Sequence, residues 1–265
     1  MAPVDAATVL LLNAEGAIFM VRRGHTAAFM ARAMVFPGGK VDAADAALAH
    51  LCDLTPEVAG ARLGLAPERA LAFYVAAARE TFEEAGVLLA LRDGMPVDLT
   101  PPEVAARWAI HRDDLNEKRK GFKDILEEEG LTLALDALAL HAWWVTPAIE
   151  PRRFDTRFFC TQVPAGQTPL HDARETTAGA WLSPAATLAG YAEGTLELAP
   201  PTLRILLDLV QGRAPEAHPP RIEPQPHWEG KVLHLLLPGD QAFQPPGPGR
   251  DRILLQSGKW VAERA

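Results

Sequence analysis

A chain of 265 residues, 48% of them hydrophobic, can bury one large core, either as a single elaborated domain or as a domain with appendages. The net charge of −8 and isoelectric point near 5.5 exclude a protein that holds nucleic acid by neutralising many phosphates, so an anionic substrate must meet local positive charge or a metal ion. Two cysteines, Cys52 and Cys160, exclude a disulfide framework. A reducing, cytoplasmic setting is the expectation, and with no basic leader or apolar run long enough to cross a bilayer, no membrane is expected as a partner.

Residues 8–12 and 17–22 are apolar, partly β-branched runs flanking Asn13-Ala14-Glu15-Gly16, and they predict a β-hairpin. Met34-Val35-Phe36 reads as a short strand entering Pro37-Gly38-Gly39, where proline and paired glycines let the backbone bend and approach a ligand closely. Residues 43–65 are rich in alanine and leucine, broken at Pro56 and Gly64. Pro67-Glu68 opens a longer helix that runs to about Ala85, with Gly86 at the C-cap position. Residues 101–139 read as an inserted helical layer. Residues 142–145, 156–163 and 179–182 predict strands, and residues 200–210 a helix with proline in its first turn. A proline-rich linker, residues 214–226, leads to two further strands, 231–237 and 251–255, which predict a small appended sheet.

The chemistry sits on the long helix. Glu80, Glu83 and Glu84 fall at i, i+3 and i+4, on one helical face. Three like charges repel unless a cation neutralises them, and hard oxygen ligands at this density suit Mg²⁺ or Mn²⁺. A lone Glu-x-x-Glu-Glu is more often a solvated face. Here Tyr74, Val75, Ala78 and Phe82 are apolar at helical spacings, so the helix packs on a core and its acidic face points to a defined place.

Arg79-Glu80-Thr81-Phe82-Glu83-Glu84-Ala85-Gly86-Val87 resembles the second half of the Nudix hydrolase signature, with Thr81 at a position that is apolar in the family. Gly39-Lys40-Val41-Asp42-Ala43-Ala44-Asp45 resembles the first half, with Asp45 in place of glutamate. Between Asp45 and Arg79 lie 33 residues where the family pattern has seven. The branch resembling peroxisomal coenzyme A diphosphatases carries a box interrupted at this place, and its flanks are similar to those here.

The resemblance implies an α/β (α+β) fold, the Nudix αβα sandwich with a mixed sheet, helical insertions and a C-terminal extension. The hydrolase domain would span residues 1–210, with insertions at about 46–78 and 101–139, followed by a linker and extension at 211–265 that leave a homodimer contact open. It also implies a metal set of Glu80, Glu83, Glu84 and the Gly39 carbonyl, holding Mg²⁺ or Mn²⁺. Arg79 would orient a glutamate through a charge-assisted pair. The general base would come from the box helix or from a loop outside it; Asp172 and Glu175, in a polar loop similar to where other members carry a functional acid, are the outside candidates, and a surface loop carboxylate is the other reading of Glu175. Arg22, Arg23, Gly38, Gly39 and Arg157 are candidates for substrate contact, Arg152 and Arg153 are also available, and His171 reads as a surface side chain. The cluster Lys118-Arg119-Lys120 with Lys123 interleaves with acids and reads as a salt-bridged helix. The implied activity is metal-dependent cleavage of a diphosphate linkage in a nucleotide substrate, coenzyme A or acyl-CoA first. ADP-ribose or a dinucleotide is the alternative within the fold, and a non-catalytic nucleotide sensor the alternative outside catalysis. The short coenzyme A signature is not readable between Val21 and Phe36.

Overall fold

The computed structural model describes residues 2–24, 32–213 and 216–264. Part of the stretch between Val21 and Phe36, and the start of the proline-rich linker, lie outside the described residues. The hairpin is formed by β1 (Val4–Leu12) and β2 (Ile18–Arg23), and the Asn13 side chain accepts the Ala17 N–H at 2.8 Å across its turn. Next come β3 (Met34–Val35), β4 (Gly38–Lys40), a 3₁₀ helix (Ala43–Leu51), α1 (Pro56–Leu63) and α2 (Pro67–Ala85). β5 (Ala90–Arg92), β6 (Met95–Pro96), α3 (Pro102–Asn116), α4 (Phe122–Glu129) and β7 (Thr132–Leu133) form an excursion before β8 (Ala139–Val145), β9 (Phe154–Gln162) and β10 (Thr176–Leu182). The chain finishes with α5 (Pro184–Glu193), α6 (Pro200–Val210), β11 (Arg221–Ile222), β12 (Gln225–Glu229), β13 (Val232–Leu236), β14 (Asp251–Gln256) and β15 (Lys259–Arg264).

The main sheet has the order β10-β2-β1-β9-β8-β11, with β3 on β2 and β4 on β1. It is mixed: β1 and β9 run parallel, as do β8 and β11, while the other pairs are antiparallel. Strand alternation builds two cores. Ala7, Val9 and Leu11 of β1 turn to one face, where α1 and α2 cover them with Leu63, Leu71 and Phe82. Leu10, Ile18 and Met20 turn to the other, against Tyr191 of α5 and Leu203 and Leu206 of α6. Helices on both faces of a mixed sheet make the expected αβα sandwich.

Two expectations differ from the structure. Residues 101–139 are helical only to Glu129; the excursion closes through the small sheet β6-β5-β7, because Gly130 takes a left-handed turn, φ 63°, that stops α4. The long helix appears where expected, continuous from Pro67 to Ala85, so the C-terminal part of residues 46–78 is the start of the helix that carries the glutamates. The appended sheet has four strands, β12-β13-β14-β15, and its Leu235, Leu237 and Ile253 enter the second core. Among the described residues, no helix is long and apolar enough to cross a membrane.

Candidate functional site

α2 carries the acidic face and is anchored at its last turn from two sides. Gly86 adopts φ 65° and returns its N–H to the Phe82 carbonyl at 3.0 Å, a left-handed cap that glycine takes without strain. Phe82 meets Trp108 of α3 and Phe122 of α4 at ring distances of 5.6 and 6.3 Å. Arg112 of α3 donates Nε to the Glu83 carbonyl at 2.9 Å; a cation there satisfies a helix-end carbonyl and the negative end of the dipole. No local pattern in the sequence marks Arg112. Thr81, at the family's apolar position, is fully buried and its hydroxyl has no partner among the described residues.

The glycine pair lies against this turn because β4 pairs with β1, Gly38 beside Thr8 and Gly39 beside Ala7. The Gly38 N–H donates to Glu84 Oε2 at 2.9 Å. A Cβ on Gly38 would meet the Ala7 and Thr8 backbone, so close approach demands glycine there, and a Cβ on Gly39 would stand 2.5 Å from the Glu80 carboxylate and push it aside.

Arg79 joins the two halves of the interrupted motif. Its guanidinium donates to both Asp45 oxygens at 2.9 and 3.0 Å, to Glu80 at 2.8 Å, to Glu83 at 3.2 Å and to the Lys40 carbonyl at 2.8 Å. Asp45 is 2% exposed and also accepts the Asp42 N–H at 2.8 Å. The 33 intervening residues loop out as the 3₁₀ helix, α1 and the first turns of α2, then return Arg79 to Asp45. Burial works against charge on the guanidinium, but the carboxylates of Asp45, Glu80 and Glu83 outweigh it and hold Arg79 charged.

The glutamates are crowded. Burial first, then repulsion from Glu83 and Glu175, pushes Glu80 up to about 7 against the pull of Arg79. Burial, aided by Glu80 and Glu175, pushes Glu84 up to about 8 despite the Gly38 N–H and nearby Arg23. Glu83 is raised as well, chiefly by burial. A cluster that resists its own negative charge is one that a cation would relieve.

These groups face a cleft of about 1640 Å³ that also holds Arg23, Lys40, Lys118, Arg152 and Glu175. Glu175 is exposed on the loop before β10, and its charge is felt by both Glu80 and Glu84. Asp172 does something different. It accepts the N–H groups of Arg174, Glu175 and Thr176 and the Thr176 hydroxyl, at 2.6 to 3.2 Å. Against the cost of burial, these bonds hold its carboxyl below the usual range, so Asp172 shapes the loop that presents Glu175.

Two substrate candidates do not reach the cleft. Arg157 is completely buried on the α2 side of the sheet, stacked 3.7 Å from the Trp143 ring and 5.0 Å from Phe73 and paired with Asp155. Strand alternation turns it away from the side that Thr156 and Phe158 present to the cleft. Arg22 lines a separate, smaller pocket with Thr177 and Glu197, while its neighbour Arg23 faces the glutamates. Arg153 is tied to Glu223 at 2.5 Å and to the Thr146 carbonyl. The basic cluster is not a helix as expected, since Lys118, Arg119 and Lys120 lie in the turn between α3 and α4, where Lys118 takes φ 56°; it is ion-paired, Arg119 with Asp114 at 2.6 Å, Lys123 with Glu127 at 3.5 Å and Lys120 with Glu128, and its lysines also line the cleft.

Among the described residues, no three acidic, histidine or cysteine side chains form a ready-made metal cage. The carboxylate oxygens are engaged by Arg79 and the Gly38 N–H instead. The residues nonetheless suit a hard divalent ion. They supply several carboxylates in one largely buried turn, proton affinities raised by burial and then by mutual repulsion, and glycines that leave no side chain over Glu80.

A mixed αβα sandwich with a glutamate-bearing helix end against a Gly-Gly strand defines a Nudix-type protein. The model of the NUDT19 Nudix domain matches residues 63–209. The chain belongs to the Nudix hydrolase family, in the branch that this domain describes. It is 31% identical to the human acyl-coenzyme A diphosphatase NUDT19, over 71% of this chain and 59% of that protein. With the Gallus gallus acyl-coenzyme A diphosphatase NUDT19 it shares 28% identity over 93% of this chain and 78% of the relative. The chain thus spans about three fifths of the human relative's length. A crystal structure of a Nudix hydrolase from Alicyclobacillus acidocaldarius superposes with a TM-score of 0.65 at 29% identity, over 81% of this chain and 94% of that one.

Proposed function

We propose that this chain is a metal-dependent diphosphatase that hydrolyses coenzyme A or its acyl derivatives to a phosphopantetheine and adenosine 3′,5′-bisphosphate. The observation that carries the reading is the buried Glu80, Glu83 and Glu84 turn, closed on Gly38-Gly39 and braced by the Arg79–Asp45 pair at the floor of the cleft. The activity printed for the human and chicken relatives supports the substrate.

Glu80, Glu83 and Glu84, with the Gly39 carbonyl, would hold Mg²⁺ or Mn²⁺; when bound, the ion neutralises diphosphate oxygens and acidifies an attacking water. Arg79 fixes Glu80 and Glu83 by charge-assisted bonds and keeps them from swinging into solvent. Glu175, presented by the Asp172 loop, takes the proton of the water as its oxygen bonds to phosphorus and the bridging P–O bond breaks. Arg23 and the cleft lysines supply the positive rim that a −8 chain needs to draw in a polyanion. The hydrolase domain ends near residue 210, a division supported by the family match stopping at 209. Cys52 and Cys160, both free thiols, favour a reducing compartment such as the cytoplasm.

The test is product release from coenzyme A, an acyl-CoA, ADP-ribose, NADH and diadenosine polyphosphates, with Mg²⁺ or Mn²⁺ and with chelator. Metal-dependent cleavage of the two coenzyme A compounds supports the proposal. Preference for ADP-ribose or a dinucleotide moves the substrate, and silence across the panel with metal still bound favours a nucleotide sensor.

A further inference from the structure

The floor of the cleft is not uniform. β1 and β9 run parallel with Thr8 beside Phe158, Ala6 beside Thr156 and Val4 beside Phe154, and all six line the cleft. Gly38, whose N–H holds Glu84, pairs with Thr8. The floor therefore starts at the carboxylates and runs four residues to Val4, about 13 Å at the rise of an extended strand.

The apolar lining beside this floor comes from two places. Trp144 of β8 pairs with Thr156, and Leu233, Leu235 and Trp260 of the appended sheet line the same cleft. That sheet is fixed. The Tyr191 hydroxyl of α5 accepts the Trp260 N–H and donates to the Trp260 carbonyl, both at 2.8 Å. Arg204 of α6 chelates Asp251, and Arg252 chelates Asp240 at 2.7 and 2.8 Å, with all four residues buried. Leu235 is part of the core that α5 and α6 share, whereas Leu233 is half-buried at the cleft surface.

Lys118 and Lys120 on the α3–α4 connection and Lys123 in the first turn of α4 line the cleft as well. A substrate with its diphosphate at the glutamates has one polyanionic arm and one uncharged arm, and the lining of this one cleft supplies both a cationic set and an apolar set to meet them. We infer that the C-terminal sheet is a specificity element: Leu233, Leu235 and Trp260, together with Trp144, bind the pantetheine end and the first carbons of an acyl chain. The inference rests on the diphosphatase reading above and adds to it the residues that favour an acylated substrate. Apolar walls reward each methylene they cover, so an acyl-CoA gains over free coenzyme A.

The experiment compares kcat/KM for decanoyl-CoA and coenzyme A in the full chain and in Leu233→Glu and Leu233→Met, with circular dichroism and the half-saturating Mg²⁺ concentration as controls. A carboxylate at position 233 is expected to lower the decanoyl-CoA to coenzyme A ratio about tenfold, the loss of contact with roughly two methylenes, while Leu233→Met keeps the ratio and both variants keep the fold and Mg²⁺ response. A ratio unchanged within about twofold in Leu233→Glu, whether both rates fall together or neither falls, overturns the wall and leaves the diphosphatase reading standing. Failure of the unsubstituted chain to cleave either compound refutes the underlying reading instead.

Discussion

Replacing Asp45 tests whether the interrupted motif works as one unit. Asp45→Ala removes two charge-assisted bonds from Arg79, at 2.9 and 3.0 Å, and the acceptor of the Asp42 N–H. Asp45 and Arg79 are 2% and 6% exposed, so solvent offers little compensation. Breaking a buried pair by deleting one partner costs roughly 3–5 kcal/mol. Arg79 keeps Glu80, Glu83 and the Lys40 carbonyl, which places the expected loss at the lower end, about 3 kcal/mol. For a chain of this size that lowers Tm by roughly 6–12 °C. The released guanidinium also ceases to fix Glu80 and Glu83, and a lost supporting contact of this kind weakens metal binding by about 10- to 100-fold. Asp45→Asn, which keeps the shape and one acceptor but not the charge, should fall between. Calorimetric melting and Mg²⁺ titration of activity read both effects. A Tm within about 2 °C of the parent, with an unchanged Mg²⁺ response, would mean that the Arg79–Asp45 contact does not hold the site together.

Three further outcomes follow from the same geometry. Glu83→Gln and Glu84→Gln should each lower turnover by about two orders of magnitude or more with folding intact; near-normal rates in both would remove these residues from the reaction. Glu175→Gln should lower kcat by roughly 10²- to 10⁴-fold with KM little changed, the range for a general base, whereas full activity would leave the Asp172 loop without a catalytic side chain. The third concerns metal removal and pH. Glu80 and Glu84 are raised to about 7 and about 8, above their unfolded values, so the metal-free folded state retains protons that the unfolded chain has released. Their contribution to stability is present at low pH and is lost as pH rises through about 7 to 8. In chelator, Tm should fall between about pH 5 and pH 8 from this source, and saturating Mg²⁺ should reverse the fall while displacing protons, measurable by calorimetry in buffers of different ionisation enthalpy. A metal-induced Tm gain that is larger at pH 5 than at pH 8 would contradict the assignment.

What the sequence revealed follows the range of the forces involved. The hairpin, α2 and the Gly86 cap are written in local turn chemistry and periodicity, and they appear at the expected places. α5 was missed although Ser183-Pro184 and Gly194 bracket it; the Ser183 hydroxyl accepts the Ala186 N–H at 3.2 Å and Gly194 ends the helix at φ 79°, both readable signals. Two of the four appended strands were missed for a different reason. β12 and β15 are mostly exposed or half-buried, so they carry little of the apolar pattern that marks a strand.

At the site, the glutamates and glycines were legible because the helical period and the motif spacing put them together. Arg157 was misread because nothing local distinguishes a surface arginine from one stacked between Trp143 and Phe73; only the pairing of β9 with β1 and β8 sets which way it points. Arg22 and Arg23 looked equivalent, and strand alternation separates them. Arg112 lies 29 positions from Glu83, a contact made by tertiary packing alone. The C-terminal residues offered no motif, since their part in the cleft depends on where the appended sheet docks.

The most direct test of the central claim is analysis of the products formed from coenzyme A by the full chain with Mg²⁺, with chelator, and after Glu84→Gln. Phosphopantetheine and adenosine 3′,5′-bisphosphate should form in equal amounts with Mg²⁺, should not form in chelator, and should form far more slowly from the variant. Cleavage that persists in chelator, or at an undiminished rate in Glu84→Gln, would contradict a metal-dependent diphosphatase built on this turn of α2.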